Sequence, residues 1–119
     1  NETLRRGFII NALINFTNDS YFAIDREYKI LIANKTLRNR FKATGVELSE
    51  GKLIMEVLSE DAQKVWKPRY DKGLAGERLH FTEERKVGDK TLYLEVFVEP
   101  ILDDKEEVIG CAVVSRDIT

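Results

Sequence analysis

The chain of 119 residues is long enough for one domain with a single hydrophobic core. Charged residues make up 34% of it and hydrophobic residues 43%, a balance typical of globular proteins. The chain has 19 Lys and Arg residues and 21 Asp and Glu residues, so its formal net charge is -2. This composition indicates no surface suited to binding the phosphate backbone of a nucleic acid. We therefore expect no nucleic-acid partner.

Apolar runs in the sequence are short. The longest, Val108 to Val114, is far below the length that crosses a bilayer and is interrupted by Gly110. The N-terminus has no pattern of a secretory signal peptide. We expect a cytoplasmic domain without direct membrane contact. Because the chain starts at Asn1 rather than Met, we interpret it as a piece of a larger protein, whose other parts could include a membrane anchor.

Few residues are suited to catalysis or metal binding. The single cysteine, Cys111, excludes an internal disulfide, and its apolar neighbours predict a buried thiol. The single histidine, His80, alternates with apolar residues on a predicted strand, with no nucleophile motif nearby. One His and one Cys do not make a dedicated zinc-type site. The sequence therefore predicts no metal site and no enzyme activity in this domain.

The first part of the chain predicts a helix, a hairpin and a short helix. Apolar residues at four-residue spacing favour a helix over Leu4 to Phe16. Strands are predicted over Tyr21 to Asp25 and Tyr28 to Ala33, joined by a tight turn. Asn34 is a suitable N-cap for the next helix, because its side chain can accept a backbone N–H of the first turn. Gly45 is the expected end of that helix.

The second part of the chain predicts a longer helix and three strands. Short helical turns are expected around Leu53 to Val57, and Ser59 is a suitable N-cap for the longer helix. The predicted apolar face of this helix consists of Ala62, Val65, Trp66, Tyr70 and Leu74. Strands are predicted over Arg78 to Val87, Thr91 to Ile101 and Val108 to Ile118. The short turns between them predict an antiparallel meander.

Several segments, in this order, resemble one sensory fold. Tyr21 to Asp25 followed by Ile30 to Asn34 resembles the first hairpin of PAS domains, including the Asn that opens the next helix. Trp66 to Glu77 resembles their long helix and its exit. Glu99-Pro100-Ile101 followed by Asp103-Asp104 resembles their last turn, and Asp117-Ile118-Thr119 is similar to the tail that leads into a signalling helix. Over nearly its whole length the chain is similar to PAS domains of bacterial sensor histidine kinases.

This resemblance implies an α+β fold, a PAS-like five-stranded antiparallel sheet with short helices on one face and an N-terminal flanking helix. It implies a flanking, dimerisation helix over residues 1–17 and a PAS sensory domain over residues 18–119. The first strand should pair with both the second and the last.

The resemblance also bears on cofactors. Flavin photosensors of this fold carry a reactive Cys beside an Asn-Cys-Arg-type helix, and haem-binding members carry an axial His, usually on the long helix. Cys111 and His80 instead lie on predicted strands. We therefore expect neither haem nor flavin.

A ligand cavity is expected between the long helix and the sheet, as PAS domains often have one there. Trp66 and Tyr70, one helical turn apart, are either ordinary aromatic core or part of the wall of such a cavity. The residues predicted to contact a ligand are Phe41, Val65, Trp66, Arg69, Tyr70, Phe81, Leu94 and Val96.

Arg69 falls inside the apolar face of the long helix, between Val65 and Trp66 on a helical wheel. A guanidinium there needs an anionic or carbonyl partner, or must reach outward to water. Two interpretations remain open: an internal salt bridge, to Glu95 or a loop carboxylate, and bidentate recognition of a ligand carboxylate. We expect the guanidinium to lie in or along the groove, and a ligand bound there to be acidic or to carry a carbonyl group.

The two ends of the chain carry the remaining predictions. Ile10 and Ile14 lie on the side of the N-terminal helix that one sheet face cannot cover, so we expect them to form a homodimer interface. Asp117, Ile118 and Thr119 are either a surface strand end or, as the resemblance implies, the signal exit into a following helix.

Two functional hypotheses follow. The leading one is a sensor that binds a small molecule and so biases an attached output domain, a histidine kinase by the resemblance. The alternative is a ligand-free module for dimerisation and signal relay. A fully packed core would favour the alternative, and a cavity near Arg69 and Trp66 would favour the sensor. An enzyme of an unrelated α+β fold is disfavoured by the missing catalytic set.

Overall fold

The computed structural model describes residues 19–119, which form a five-stranded antiparallel sheet with helices on one face. The strands are β1 (Ser20–Asp25), β2 (Ile30–Ala33), β3 (Leu79–Val87), β4 (Lys90–Leu102) and β5 (Val108–Asp117). Between β2 and β3 the chain forms helices α1 (Lys35–Lys42), α2 (Ile54–Val57) and α3 (Glu60–Leu74). The spatial order of the strands is β2-β1-β5-β4-β3. Because β1 pairs with both β2 and β5, the predicted topology is confirmed.

The predicted helix over Leu4 to Phe16, with Ile10 and Ile14, lies outside the described residues. Within residues 19–119, no helix has the length and apolar content needed to cross a membrane.

The two faces of the sheet differ in burial. Leu94, Val96 and Val98 of β4 are buried beneath the helices, as the alternating pattern predicts. Tyr93, directly before Leu94, lies on the opposite face and is 49% exposed. We call the two faces the helix face and the outer face.

The turn between β1 and β2 ties the hairpin to α3. The prediction that β2 begins at Tyr28 is wrong, because Tyr28 adopts φ 64° in the turn, a conformation that L-residues seldom take. Its hydroxyl donates a hydrogen bond to Asp71 of α3, and Lys67 Nζ lies 3.0 Å from the same carboxylate. These contacts, the Tyr28 hydrogen bond first, lower the pKa of Asp71. The hydrogen bond compensates for the strained turn and holds α3 over β1.

Asn34 joins β1 to α1, and its predicted role as N-cap is confirmed. Its Oδ1 accepts hydrogen bonds from the backbone N–H of Leu37, at 3.2 Å, and of Tyr21, at 3.0 Å. Its Nδ2 donates to the carbonyl of Asp19 at 2.6 Å. The helix that Asn34 starts ends at Lys42 rather than at Gly45. One buried side chain therefore sets both the start of the sheet and the start of α1.

Helix α3 packs on β4 and β5 through a small residue. Ser59 caps its N-terminus by accepting from the backbone N–H of Ala62, as predicted. At Gly73, a Cβ would lie 2.9 Å from Cγ1 of Val98 and 3.0 Å from Cβ of Cys111. Gly73 therefore lets α3 approach β4 and β5 more closely than a residue with a larger side chain would allow.

The prediction that Val65 belongs to the buried face of α3 is wrong, because its side chain is 49% exposed. Helix α3 contacts the sheet through the side that carries Tyr70 and Gly73. Val65 lies about 100° around the helix from Trp66, at 3.6 residues per turn, and so turns away from the sheet.

We expect Gly73→Ala to destabilise the domain by about 1 kcal/mol. Alanine gains at most about 1 kcal/mol of helix propensity, whereas overpacking against the stiff, fully buried Val98 costs about 1–3 kcal/mol. Urea unfolding measures the difference, with Lys72→Ala on the exposed side of the same helix as the control. A Gly73→Ala variant more stable than wild type would contradict the close approach of α3 to β4 and β5.

Candidate ligand cavity

A partly enclosed cavity of about 350 Å³ lies between the helices and the helix face of the sheet. Its volume is within the range of small-molecule sites. It is lined by Ser20, Phe22, Leu37, Arg40, Phe41, Ile54, Val57, Leu58, Ser59, Ala62, Trp66, Tyr70, Arg85 and Ser115. All three helices and strands β1, β3 and β5 contribute to it, so its shape depends on how the helices sit on the sheet.

One wall of the cavity is an aromatic cluster. The rings of Trp66 and Tyr70 stack with centroids 5.6 Å apart and planes at 27°. Tyr70 meets Phe22 edge-on, with centroids 6.0 Å apart. Burial raises the pKa of Tyr70, so its hydroxyl remains a neutral donor at physiological pH. The residue is only 1% exposed.

The other wall is polar and positively charged. We call it the arginine end, and it consists of Arg40 of α1, Arg85 of β3, and Ser20 and Ser115, which are paired across β1 and β5. Arg40 makes no ion pair with any described residue. Ser20 is buried, and its Oγ lacks a hydrogen-bond partner in the described part of the chain. This wall therefore presents donors that the protein itself does not satisfy.

Arg69 does not line the cavity. Its Nη1 lies 2.9 Å from Oε2 of Glu83, an ion pair without hydrogen-bond geometry. The guanidinium carbon lies 4.5 Å from the ring centroid of Trp66 and 4.3 Å from that of Phe81. Arg69 thus lies in the groove between α3 and the sheet, held by an internal salt bridge and two rings.

The salt-bridge interpretation of Arg69 agrees with the structure, but Glu95 as its partner is wrong. Glu95 is on the outer face of β4, where its carboxylate lies 2.8 Å from His80. Glu83 pairs in register with Leu94 of β4, which places it on the helix face. The strand register, rather than the charge alone, decides which carboxylate reaches Arg69.

The structure separates the residues that were predicted to contact a ligand. Phe41, Trp66 and Tyr70 line the cavity. Leu94 and Val96 are buried in the core without lining it, and Phe81 lies against Arg69. Val65 is half-exposed on the far side of α3.

Sequence reasoning missed the arginine end. A signal for Arg85 was present, because it alternates with Phe81 and Glu83 along β3 and so shares their face. Arg40 lies three residues after Leu37 and next to Phe41 on α1, so helical spacing places it beside the apolar face. Ser20 gave no comparable signal, since one serine at a strand start is common.

The end of β5 lies near the arginine end. Oδ1 of Asp117 accepts hydrogen bonds from the backbone N–H and the hydroxyl of Thr119. These bonds, followed by the charge of Arg40, lower the pKa of Asp117. The arrangement is therefore present at neutral pH and is lost only as the pH falls through this lowered value. Thr119 Oγ1 in turn accepts from the backbone N–H of Tyr93 at 3.0 Å.

A family profile described as PAS fold matches residues 15–119. The chain belongs to the PAS family. A PAS domain is a sensory module of signalling proteins, and this domain is not a catalyst. No curated protein matches the sequence significantly.

Solved PAS structures share this fold. The PAS domain of BvgS from Bordetella pertussis is 21% identical, with a TM-score of 0.76, and the match covers 100% of this chain and 88% of that one. A sensory box sensor histidine kinase from Vibrio cholerae is 18% identical, with a TM-score of 0.69, over 99% of this chain and 96% of that one. At these identities the likeness concerns the fold.

The expectation of neither haem nor flavin is wrong as far as flavin is concerned, because structures similar to this one include flavin-binding LOV domains. The Rhodobacter sphaeroides LOV protein is similar to this PAS domain, with 15% identity and a TM-score of 0.58 over 96% of this chain and 67% of that one. LOV domains are the flavin-binding branch of the fold, so the fold does not rule out such a cofactor. Because Cys111 lies on β5, it is not placed for a covalent bond to a flavin. Its position does not bear on noncovalent binding of a flavin.

We expect Glu83→Gln to destabilise this PAS domain by about 1–2 kcal/mol. Glu83 is only 20% exposed and contacts Arg69 and Arg85, so both guanidinium groups lose an anionic partner in a partly buried setting. Chemical denaturation measures the loss.

Glu84→Gln on the outer face of β3 is the matched control and should change stability by less than about 0.5 kcal/mol. Equal effects of the two changes would contradict the structural role of the Glu83 carboxylate.

Proposed function

We propose that this PAS domain senses a small molecule that binds in the cavity, and that binding is transmitted through the end of β5 to an attached output domain, a histidine kinase. The observation that carries the proposal is the cavity itself. A ligand-free relay module has no need to leave a 350 Å³ space between its helices and its sheet.

An unsatisfied hydroxyl in the cavity supports the same proposal. Buried polar groups in proteins are nearly always hydrogen-bonded. The hydroxyl of Ser20 is buried and has no such partner among the described residues. A ligand with an acceptor atom would satisfy it, and the apolar walls of the cavity would bury the rest of the ligand surface.

A physical route for the signal starts at the arginine end. Arg40 is close enough to Asp117 for each charge to shift the pKa of the other. Asp117 holds Thr119, and Thr119 holds the backbone of Tyr93 on the neighbouring strand. A ligand that engages Arg40 would change the field at Asp117 and so the stability of this terminal turn. Residues Asp117, Ile118 and Thr119 would then act as the signal exit.

The cavity is tested by filling it. We expect Ala62→Phe to abolish binding of small aromatic compounds, because Ala62 lines the cavity and a phenyl ring there would occupy it. A fragment screen by ligand-observed NMR, run on wild type and variant, measures the effect.

Val65→Phe, on the exposed side of the same helix, is the matched control and should leave binding unchanged. Fragments that bind the Ala62→Phe variant as well as wild type, or an absence of binding to wild type, would refute the sensor function.

The signal exit is tested by removing its carboxylate. We expect Asp117→Ala to speed amide exchange of Tyr93 at least about fivefold, since Thr119 loses the bonds that position its hydroxyl and a hydrogen bond contributes about 1 kcal/mol. NMR-detected hydrogen exchange provides the measurement. Asp104→Ala, in the turn before β5, is the control; unchanged exchange at Tyr93 in Asp117→Ala would disconnect the exit from the sheet.

A further inference from the structure

The arginine end and the neighbouring Arg69, which shares Glu83 with Arg85, together hold more positive than negative charge. Three guanidinium groups, of Arg40, Arg69 and Arg85, are near two carboxylates, of Glu83 and Asp117. Glu83 is shared, with Arg69 Nη1 at 2.9 Å and Arg85 Nη2 at 3.2 Å. Asp117 accepts its hydrogen bonds from Thr119. An excess of one positive charge therefore remains at this wall, although the chain as a whole has a formal net charge of -2.

Arg40 carries this excess. It has no ion pair within residues 19–119. Partial loss of hydration and then the charge of Arg85 lower the pKa of the Arg40 guanidinium, whereas Asp117 raises it, and the residue as a whole remains exposed. Arg85 lowers the pKa of Arg40 more than Asp117 raises it, so the two cations that line the cavity repel each other. An anion bound between them would remove both penalties.

Ser20 supplies a second, independent indication. Its side chain is 97% buried, since 3% of it is exposed, and its Oγ lines the cavity without a hydrogen-bond partner in the described chain. Its neighbour across the strands is Ser115, which lines the same wall. A hydroxyl donor and two guanidinium groups that line one cavity are a suitable set for an oxyanion, because Arg binds carboxylates with a planar fork of N–H groups.

We propose that the ligand of this cavity is a small carboxylic acid with an apolar body, whose carboxylate is bound by Arg40 and Arg85 with help from Ser20. This inference rests on the proposed sensor function and specifies its ligand class. A monoanion matches the excess of one positive charge, whereas a phosphate dianion would exceed it. The rest of the cavity is walled by aromatic and aliphatic side chains, among them Trp66, Tyr70 and Phe41, which suit a hydrocarbon body.

The test compares acids with neutral molecules of the same shape. The probes are phenylacetate, 3-phenylpropionate and 4-methylpentanoate, each paired with its primary amide, titrated into the purified chain by calorimetry and ligand-observed NMR. We expect at least one acid to bind about tenfold or more tightly than its amide, as a charge-assisted pair allows. Arg40→Met and Arg85→Met should each remove that preference.

Arg38→Met is the matched control, because Arg38 is exposed on the same helix as Arg40 and does not line the cavity. It should keep the preference for the acid. Arg40→Lys and Arg85→Lys retain the charge without the planar fork, so they should give an intermediate preference even where a Met variant fails to fold.

The outcomes separate this inference from the function on which it rests. Acids and amides that bind wild type equally well, with binding lost in Ala62→Phe, would overturn the carboxylate and leave the sensor cavity standing. A preference for acids that survives in the Arg40 and Arg85 variants would also overturn it. An absence of binding by every acid and amide would overturn both proposals.

Discussion

The buried side chain of Asn34 is the constraint on which the cavity depends. It caps α1, binds the backbone of β1 at Tyr21 and binds the carbonyl of Asp19, and it is 1% exposed. A polar group at that depth costs several kcal/mol unless its hydrogen bonds are made, so the three segments are fixed relative to one another. Ser20 at the start of β1 and Arg40 in α1 therefore face the same space.

The arginines of this domain show how one residue type serves two purposes. Arg69 is held by Glu83 and by the faces of Trp66 and Phe81, so its charge is used within the fold. Arg40 and Arg85 face a cavity instead. The difference arises from position: Arg69 of α3 lies against Glu83 and Phe81 of β3, whereas Arg40 of α1 and Arg85 of β3 line the space between the helices and the sheet. The packing of helices thus determines which charges are available to a ligand.

Local sequence patterns were sufficient to predict the architecture of the domain, but they were insufficient to predict the residues of the candidate site. Strand alternation, turn residues and the caps at Asn34 and Ser59 depend on neighbours within a few positions, which the sequence displays directly. The faces of α3 and the partner of Arg69 depend on the rotation of a helix and the register of distant strands. Val65 was misplaced because the closest approach centres on Gly73, which hydropathy does not reveal. Arg85 was overlooked because its importance appears only when α1 brings Arg40 to the same wall.

The position of β5 in the sheet has a consequence for synthesis. This strand follows the other four along the chain, lies in the middle of the sheet and forms hydrogen bonds with both β1 and β4. Until it leaves the ribosome, β1 and β4 have no common neighbour, and the core beneath the helices cannot close. The contacts that complete the sheet join residues far apart in sequence, which slows folding. A ribosome that stalls before Val108 would hold an incomplete domain with exposed strand edges, and the cavity would form only once the chain had been translated through to its exit.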